Sequence, residues 1–309
     1  MPEFFNVLPP AQALQVLLDR LEPRPVSPAM DVPIAEALGR VTAQATHATE
    51  DLPSFPRSAM DGYSLRAADT FGASEGTPAY FTIAGDVPMG KPAGVSVGTG
   101  DAALAYTGGM LARGADAVIM VENTQQVDAT TIEVIRPVAH GENVVQPGED
   151  VKRGEVILPA GHYLRPQDLG GLTAMGITAV SVAAKPRVAI LSLGDEVVAP
   201  EATPAEGQIR DINTYTISAL VEQAGGVPMP LGIVKDNYEE QTGAAIRGLD
   251  MADVLVISAG SSVSSRDMTA QIIDNLGQPG VLVHGLAIKP GKPTVIRSEE
   301  HTSELQSQA

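Results

Sequence analysis

Four carboxylates stand where strand-like segments give way to helix-like ones. Asp195 and Glu196 follow the run Arg187–Leu193, Asp236 follows Pro230–Val234, and Asp267 opens a helical stretch. Hard oxygen donors of this kind suit Mg2+, which takes one or two carboxylates alongside phosphate oxygens and water. Between the strand-like run Val254–Ser258 and Asp267 lies Ser258-Ala259-Gly260-Ser261-Ser262. Its hydroxyls and backbone N–H groups can hold an anion, helped by the N-terminus of the helix that follows. Lys289 and Lys292, within Lys289-Pro290-Gly291-Lys292-Pro293, add two cations on a proline-stiffened turn. Taken singly, each feature has a plainer role. Asp195-Glu196 reads as a polar turn, Asp267 as a helix cap, the serines as a solvated loop and the lysines as surface charge. Taken together, at the strand ends of one sheet, they describe a phosphate-plus-metal site.

The elements that must position these groups follow from periodicity. Arg187–Leu193 is a continuous apolar run, as a parallel strand covered on both faces requires. Asn213 is placed to cap a helix carrying Ile217, Leu220, Val221 and Ala224, which Gly225 ends. Pro230–Val234, a helix near Glu239–Leu249, Val254–Ser258, a helix near Asp267–Asn275 and a strand near Val281–Leu286 continue the alternation. That order predicts a doubly wound parallel sheet, whose ligands bind beyond the carboxyl ends of the strands. Upstream, Leu14, Leu17, Leu18 and Leu21 form the stripe of an amphipathic helix, and a short helix spans Ile34–Leu38 up to Gly39. Short β-like runs follow, among them Tyr80–Ile83, Ala117–Val121 and Ile132–Ile135, punctuated by glycine and proline. A helix over Pro166–Met175, closed by Gly176, and a strand over Ala179–Val182 lead into the sheet region.

Composition narrows the function. The 309 residues carry 37 acidic and 20 basic side chains, a formal net charge of -17. Nucleic-acid binders need clustered Lys and Arg, so that class is excluded. No apolar run approaches the roughly 18 residues of a membrane span, and mean hydropathy is +0.07. Cysteine is absent, which removes thiolate nucleophiles and sulfur-bound zinc. The first residues lack the pattern of a signal peptide, so a cytoplasmic location is expected. Other motifs fail. Gly285 and Gly291-Lys292 are separated by five residues and followed by Pro293, where a P-loop needs four and Ser or Thr. Gly98-Thr99-Gly100 lacks a third glycine, the histidines at 47, 140, 162, 284 and 301 lack metal-ligand spacing, and no internal repeat is present.

A further set of strings occurs in order. Ser58-Ala59-Met60-Asp61-Gly62-Tyr63, Thr107-Gly108, Gly114-Ala115-Asp116-Ala117-Val118 and Gly148-Glu149-Asp150 are followed by Gly194-Asp195-Glu196. Gly207-Gln208-Ile209-Arg210-Asp211 with Asn213, and then Lys289-Pro290-Gly291-Lys292-Pro293, complete it. Over about residues 8–296 the chain resembles the molybdopterin molybdenumtransferases, relatives of the C-terminal domain of gephyrin. The resemblance implies a Mg2+-dependent enzyme that joins molybdate to adenylated molybdopterin and releases AMP. It implies an α/β multidomain fold: a mixed α+β domain (1–50 and 140–183), an inserted β-rich domain (51–139) and an α/β molybdopterin-binding domain (184–297). It implies catalytic roles for Asp61, Asp236, Asp267 and Lys289, and a metal site at Asp195, Glu196, Asp236 and Asp267. Thr107, Asp211, Asn213, Ser258, Ser261, Ser262 and Lys292 would bind substrate. A homodimer is implied, with Asp61 acting in trans across a shared cleft, and so is a molybdopterin adenylyltransferase as partner. A pterin-binding or scaffold module without turnover is the alternative.

Three departures from the family accompany the match. The loop after Ser258 reads Ala-Gly-Ser-Ser-Val-Ser where Gly-Gly-Val-Ser-Val-Gly is usual, so a requirement for positive φ at 259 or 264 would strain it. Gly285, beside His284, stands where members often carry lysine. After residue 297 the usual end of the sheet domain and a C-terminal β domain are replaced by a polar stretch, 298–309, expected to be a non-native tail.

Overall fold

The computed structural model describes residues 7–21, 29–259, 263–277 and 280–298, with the backbone alone for 263–267. Residues 31–181 form one compact unit, and the rest of the described chain forms a second. The expected tail, apart from residue 298, lies outside the described residues.

The first helix, α1 (Pro10–Leu18), starts on proline, whose missing N–H costs nothing at a helix start. Its leucine stripe does not face the core as the spacing suggested. Leu14, Leu18 and Leu21 are about half exposed, whereas Ala13 is buried, with Val16 and Leu17 partly buried. Positions 13, 16 and 17 repeat the same i, i+3, i+4 spacing one residue earlier, so periodicity could not choose between the faces.

In the 31–181 unit the expected helix at 34–38 is a single 3-10 turn, Ile34–Glu36. The main feature is a six-stranded sheet. Its strands are β1 (Gly62–Leu65), β2 (Ala79–Asp86), β3 (Asp101–Ala105), β4 (Ala117–Met120), β5 (Thr124–Gln126) and β6 (Thr131–Val134), in spatial order β4-β1-β3-β2-β6-β5. All neighbours are antiparallel except β2 with β3. Leu65, Phe81, Ala102, Ile119, Ile132 and Val134 pack as its core. A Cβ added at Gly62 would lie 1.9 Å from the Ile119 carbonyl oxygen, so β1 and β4 approach this closely only because residue 62 has no side chain.

The glycine-rich connections share one construction. At 98–101, 139–142, 146–149, 152–155 and 205–208 the fourth residue's N–H donates to the first residue's C=O. The third residue is glycine at positive φ, as a type II turn requires. The fourth side chain, Asp101, Glu142, Glu149, Glu155 or Gln208, then accepts from the first residue's N–H at 2.8–3.1 Å. The strings Gly98-Thr99-Gly100 and Gly148-Glu149 are explained by this turn.

Helix α2 (Pro166–Ala174) closes the unit, with Gly176 in the left-handed conformation behind it. Asp168 Oδ2 accepts from Arg165 N and Nε and meets His162 Nε2 at 2.8 Å. The Arg165 guanidinium, opposed by burial and helped by His162, holds the Asp168 carboxyl far below its ordinary range.

In the second unit β7 (Arg187–Leu193) lies between β8 (Val227–Val234) and β9 (Val254–Ser258), all parallel, in order β8-β7-β9. Every residue of β7 after Arg187 is buried, as its apolar run predicts. Helices α3 (Asn213–Gln223), α4 (Tyr238–Met251) and α5 (Val263–Asn275) alternate with the strands. Leu191, Leu193 and Ala244 form a core with Leu231, Val234, Leu255 and Ile257. Val281–Leu286 does not extend this sheet, contrary to expectation. Instead β10 (Val281–His284) pairs antiparallel with β11 (Val295–Arg297), and Leu286 N donates to Lys292 O across the intervening loop. Leu8 lies alongside, donating to Gly285 O and accepting from Ala287 N.

Candidate functional site

At the carboxyl ends of β7 and β9 lies a cleft of about 270 Å³ lined by Ser192, Leu193, Glu196, Val197, Ile209, Arg210, Asp211, Ile212, Asn213, Ser258 and Ala259. Four of the expected site residues, Glu196, Asp211, Asn213 and Ser258, therefore meet. The local sequence explains how. Gly194 has φ +141°, and a Cβ there would lie 2.6 Å from Glu196 Oε2, so glycine lets the Glu196 carboxylate fold back over the strand end. Val197–Val198 then pairs in parallel with Ile209–Arg210, which brings residues 211–213 to the strand end.

Asp211, not Asn213, caps α3. Asp211 Oδ1 accepts from Thr214 N at 3.1 Å and Oδ2 accepts from Thr214 Oγ1 at 2.6 Å. Ser192 Oγ lies 3.0 Å from the same threonine oxygen. Burial works against the charged Asp211 carboxyl, but the hydrogen bonds from Thr214, Ser192 and Asn213 N outweigh it and lower its pKa. Asn213 is the first helical residue, and its Nδ2 donates to Ser258 Oγ at 2.6 Å, linking α3 to the end of β9. Asp211, three residues before Thr214, carries the same capping signal as Asn213.

A second linkage ties β7 to β8. Lys235 Nζ donates to Asp195 O at 3.0 Å, and Asp236 N to Asp195 Oδ1 at 3.3 Å. Asp236 Oδ1 accepts from Gln241 Nε2 at 3.2 Å. Asp195 and Asp236 are thus adjacent. Neither Lys235 nor Gln241 stood out in the sequence.

Asp267 does not open its helix. α5 begins four residues earlier, at Val263, which puts Asp267 in the second turn and removes the capping role. Its side chain, Ser261 and Ser262 lie outside the described residues. Lys289 and Lys292 are exposed on the loop between β10 and β11. Among the described residues no three of His, Asp and Glu converge as a ready-made metal site.

The loop departures are absorbed without strain at the described positions. Asn143 is the sole non-glycine residue at positive φ among the described residues, so Ala259 and Ser264 adopt ordinary backbone. Gly285, in contrast, has φ +109°, a conformation a lysine would resist.

In the 31–181 unit Asp61 and Thr107 come together. Thr107 N and Oγ1 donate to Asp61 Oδ1 at 2.8 and 2.9 Å, and these bonds, the backbone one foremost, lower the pKa of the exposed carboxyl. Thr107 thus serves Asp61, where the sequence suggested that its hydroxyl faces an anion. Ser58 is buried and turns the chain before Asp61, its Oγ donating to Met60 O at 2.5 Å. Asp61 O accepts from Val121 N.

Comparisons with known proteins match both units. The family profile described as "MoeA N-terminal region (domain I and II)" matches residues 8–176, and that described as "Probable molybdopterin binding domain" matches 189–304. A molybdopterin biosynthesis protein of Methanocaldococcus jannaschii is 36% identical over 301 residues, which cover 93% of this chain and 72% of that one. The molybdopterin molybdenumtransferase of Haemophilus influenzae is 34% identical over 84% of this chain and 63% of its own length. That of Nostoc is 33% identical over 84% and 59%. The chain therefore spans about three fifths of these two bacterial relatives. A crystal structure of the moeA protein of Pyrococcus horikoshii superimposes with a TM-score of 0.80 at 36% identity, covering 94% of this chain and 72% of that one. No described helix is long and apolar enough to cross a membrane.

Proposed function

The chain belongs to the MoeA family of molybdopterin biosynthesis proteins, and we propose on that premise that it is a molybdopterin molybdenumtransferase. It joins molybdate to adenylated molybdopterin and releases AMP, in the cytoplasm, as a homodimer to which Asp61 contributes in trans. The observation that carries this reading is the cleft at the ends of β7 and β9, where Glu196, Asp211, Asn213 and Ser258 meet within the stretch matched by the molybdopterin-binding profile.

Mg2+ belongs to the same proposal. The fit is that of an open site: Asp195 and Asp236 are adjacent, Glu196 lines the cleft, and no closed cage of three acids exists among the described residues. Mg2+ is commonly held by one or two carboxylates with phosphate oxygens and water completing its shell. When bound it would offset the repulsion between phosphate and molybdate oxygens. The chain's own groups then divide the work. Asn213 and Ser258 line the wall that receives the nucleotide, and Ser261 and Ser262 are assigned hydrogen bonds to the bound anions. Asp211 keeps the start of α3 in place, and Asp236 and Asp267 orient the water and metal ligands. Lys289 and Lys292 supply positive charge to the oxyanion, and Asp61, aligned by Thr107, orients a reacting group. The net charge of -17 does not oppose anion binding, since local cations set the field within a cleft. A molybdopterin adenylyltransferase would supply the substrate.

The test is AMP release from adenylated molybdopterin, which should require both molybdate and Mg2+. Asp267→Asn should lower it at least about 100-fold, the range seen when a single charge-stabilising group is removed, with the fold intact. Full activity would take Asp267 out of the site. Gly285, with no cation where relatives often carry lysine, supports the alternative of a binding module, for which tight pterin binding without AMP release is the expected result.

A further inference from the structure

Gln241, at the end of the first turn of α4, is 1% exposed, an uncommon position for a primary amide. Its Nε2 donates to Lys235 O at 3.0 Å and to Asp236 Oδ1 at 3.2 Å. Its Oε1 is buried and has no hydrogen-bond partner among the described residues. Turning the amide over would not help, because Oε1 would then face a carbonyl and a carboxylate, both acceptors. Leucine or methionine would fill the same space without burying an orphan acceptor, so packing alone does not account for glutamine here. The double donation does. Glutamate at neutral pH would bring a second negative charge to Asp236, and lysine would add a positive one.

The two acceptors belong to the turn that leaves β8, and that turn is tied to the end of β7. Asn237 N donates to Lys235 O at 2.7 Å, Lys235 Nζ to Asp195 O, and Asp236 N to Asp195 Oδ1. With Oδ1 of Asp236 held from within, Oδ2 is the oxygen left to meet a ligand.

We infer that Gln241 is a positioning residue, which orients the Asp236 carboxylate from inside the sheet unit and, through Asp236 N, the Asp195 carboxylate beside it. The inference rests on the reading that places Asp195 and Asp236 in the reaction.

The experiment compares Gln241→Leu, Gln241→Glu and Asp236→Asn in the full chain. AMP release is measured at pH 6 and pH 8, binding of Mn2+ alone by water-proton relaxation, and thermal unfolding by circular dichroism. Gln241→Leu should keep the melting temperature within a few degrees, lose about tenfold in kcat at both pH values, and bind Mn2+ about fivefold more weakly. Gln241→Glu should recover toward wild type at pH 6 and fall away at pH 8. A protonated glutamic acid supplies one O–H donor, whereas its carboxylate repels Asp236. A lowered melting temperature with unchanged AMP release and Mn2+ binding would make Gln241 a packing residue and overturn the inference. If Gln241→Leu does not fold, Gln241→Met takes its place, and unchanged AMP release and Mn2+ binding in that variant overturn the inference instead. Where turnover is undetectable, the Mn2+ measurements decide. Wild-type behaviour of Asp236→Asn in both assays would overturn the reading of the site itself, whatever the Gln241 variants do.

Discussion

Asp61 is held by one neighbour: Thr107 donates its N–H and its hydroxyl to a single carboxylate oxygen, and both residues sit at the ends of adjacent strands, β1 and β3. The acids and amides of the sheet unit are held differently. Asn213 reaches Ser258 from the start of α3 to the end of β9, and Asp236 is held by Gln241 of α4 while it donates to Asp195 beyond β7. In the first region two residues 46 apart in sequence meet across a single strand pair, so the backbone geometry of that pair decides the carboxylate's place. In the second, the groups come from the ends of three parallel strands and the starts of two helices, so the arrangement depends on the packing of the whole unit. A change in one strand pair should therefore act on Asp61 alone, whereas a change at any strand end should disturb several groups.

The largest effect expected is at Gly62. Gly62→Ala sets a Cβ 1.9 Å from the Ile119 carbonyl oxygen and must push β1 and β4 apart, costing about 3 kcal/mol. Denaturant unfolding should register it, with amide exchange speeding up in β1 and β4 while β7 stays protected; equal loosening of β7 would break the distinction drawn above. Next comes Asp211→Ala, which removes the α3 cap at a cost of about 1–2 kcal/mol and should speed amide exchange at Thr214. Because the folded carboxyl has a lowered pKa, its contribution is full above the unfolded value near 3.8 and is lost as pH falls through the folded value. The acid limb of the stability curve should be shallower in Asp211→Asn. Asp168→Asn should behave the same way in the 31–181 unit, costing about 1 kcal/mol at neutral pH through loss of the α2 cap, with a folded pKa further below the ordinary range. Thr107→Val should leave the unfolding midpoint where it is and lower AMP release about tenfold, because only the alignment of Asp61 changes. The smallest effect belongs to Glu149→Ala, which removes one turn-closing acceptor on the surface and should stay within about 0.5 kcal/mol.

Much of the frame was legible from the chain. Arg187–Leu193 and Val254–Ser258 are strands with the predicted bounds; the apolar run of the first is covered on both faces, whereas the second is only partly buried. Gly39, Gly176 and Gly225 follow their helical segments at positive φ, as expected of a residue without a Cβ. Other features were not legible for equally physical reasons. Two leucine-bearing faces of α1 share one spacing, so burial of Ala13 over Leu14 could not be read from period. An Asp before apolar residues looks like a cap and points to a helix start at Asp267, yet α5 begins at Val263. Val281–His284 has the composition of a sheet strand, and its partner, Val295–Arg297, lies beyond a loop whose pairing no local pattern encodes. The anion loop could be read only in part, since Ser261 and Ser262 lie outside the described residues.

Residue types and their order determined which chemistry is available: carboxylates, hydroxyls and lysines next to strand and helix boundaries, with glycine at every described position of positive φ but Asn143. Those are local properties, set by side-chain chemistry and by a residue's own steric limits. Tertiary structure alone decided which groups meet, that Asp211 caps a helix while Asn213 reaches Ser258, that Thr107 serves Asp61, and that a buried Gln241 grips Asp236. Each of these contacts joins groups whose separation depends on how strands register and helices pack, and that is a property of the folded chain as a whole.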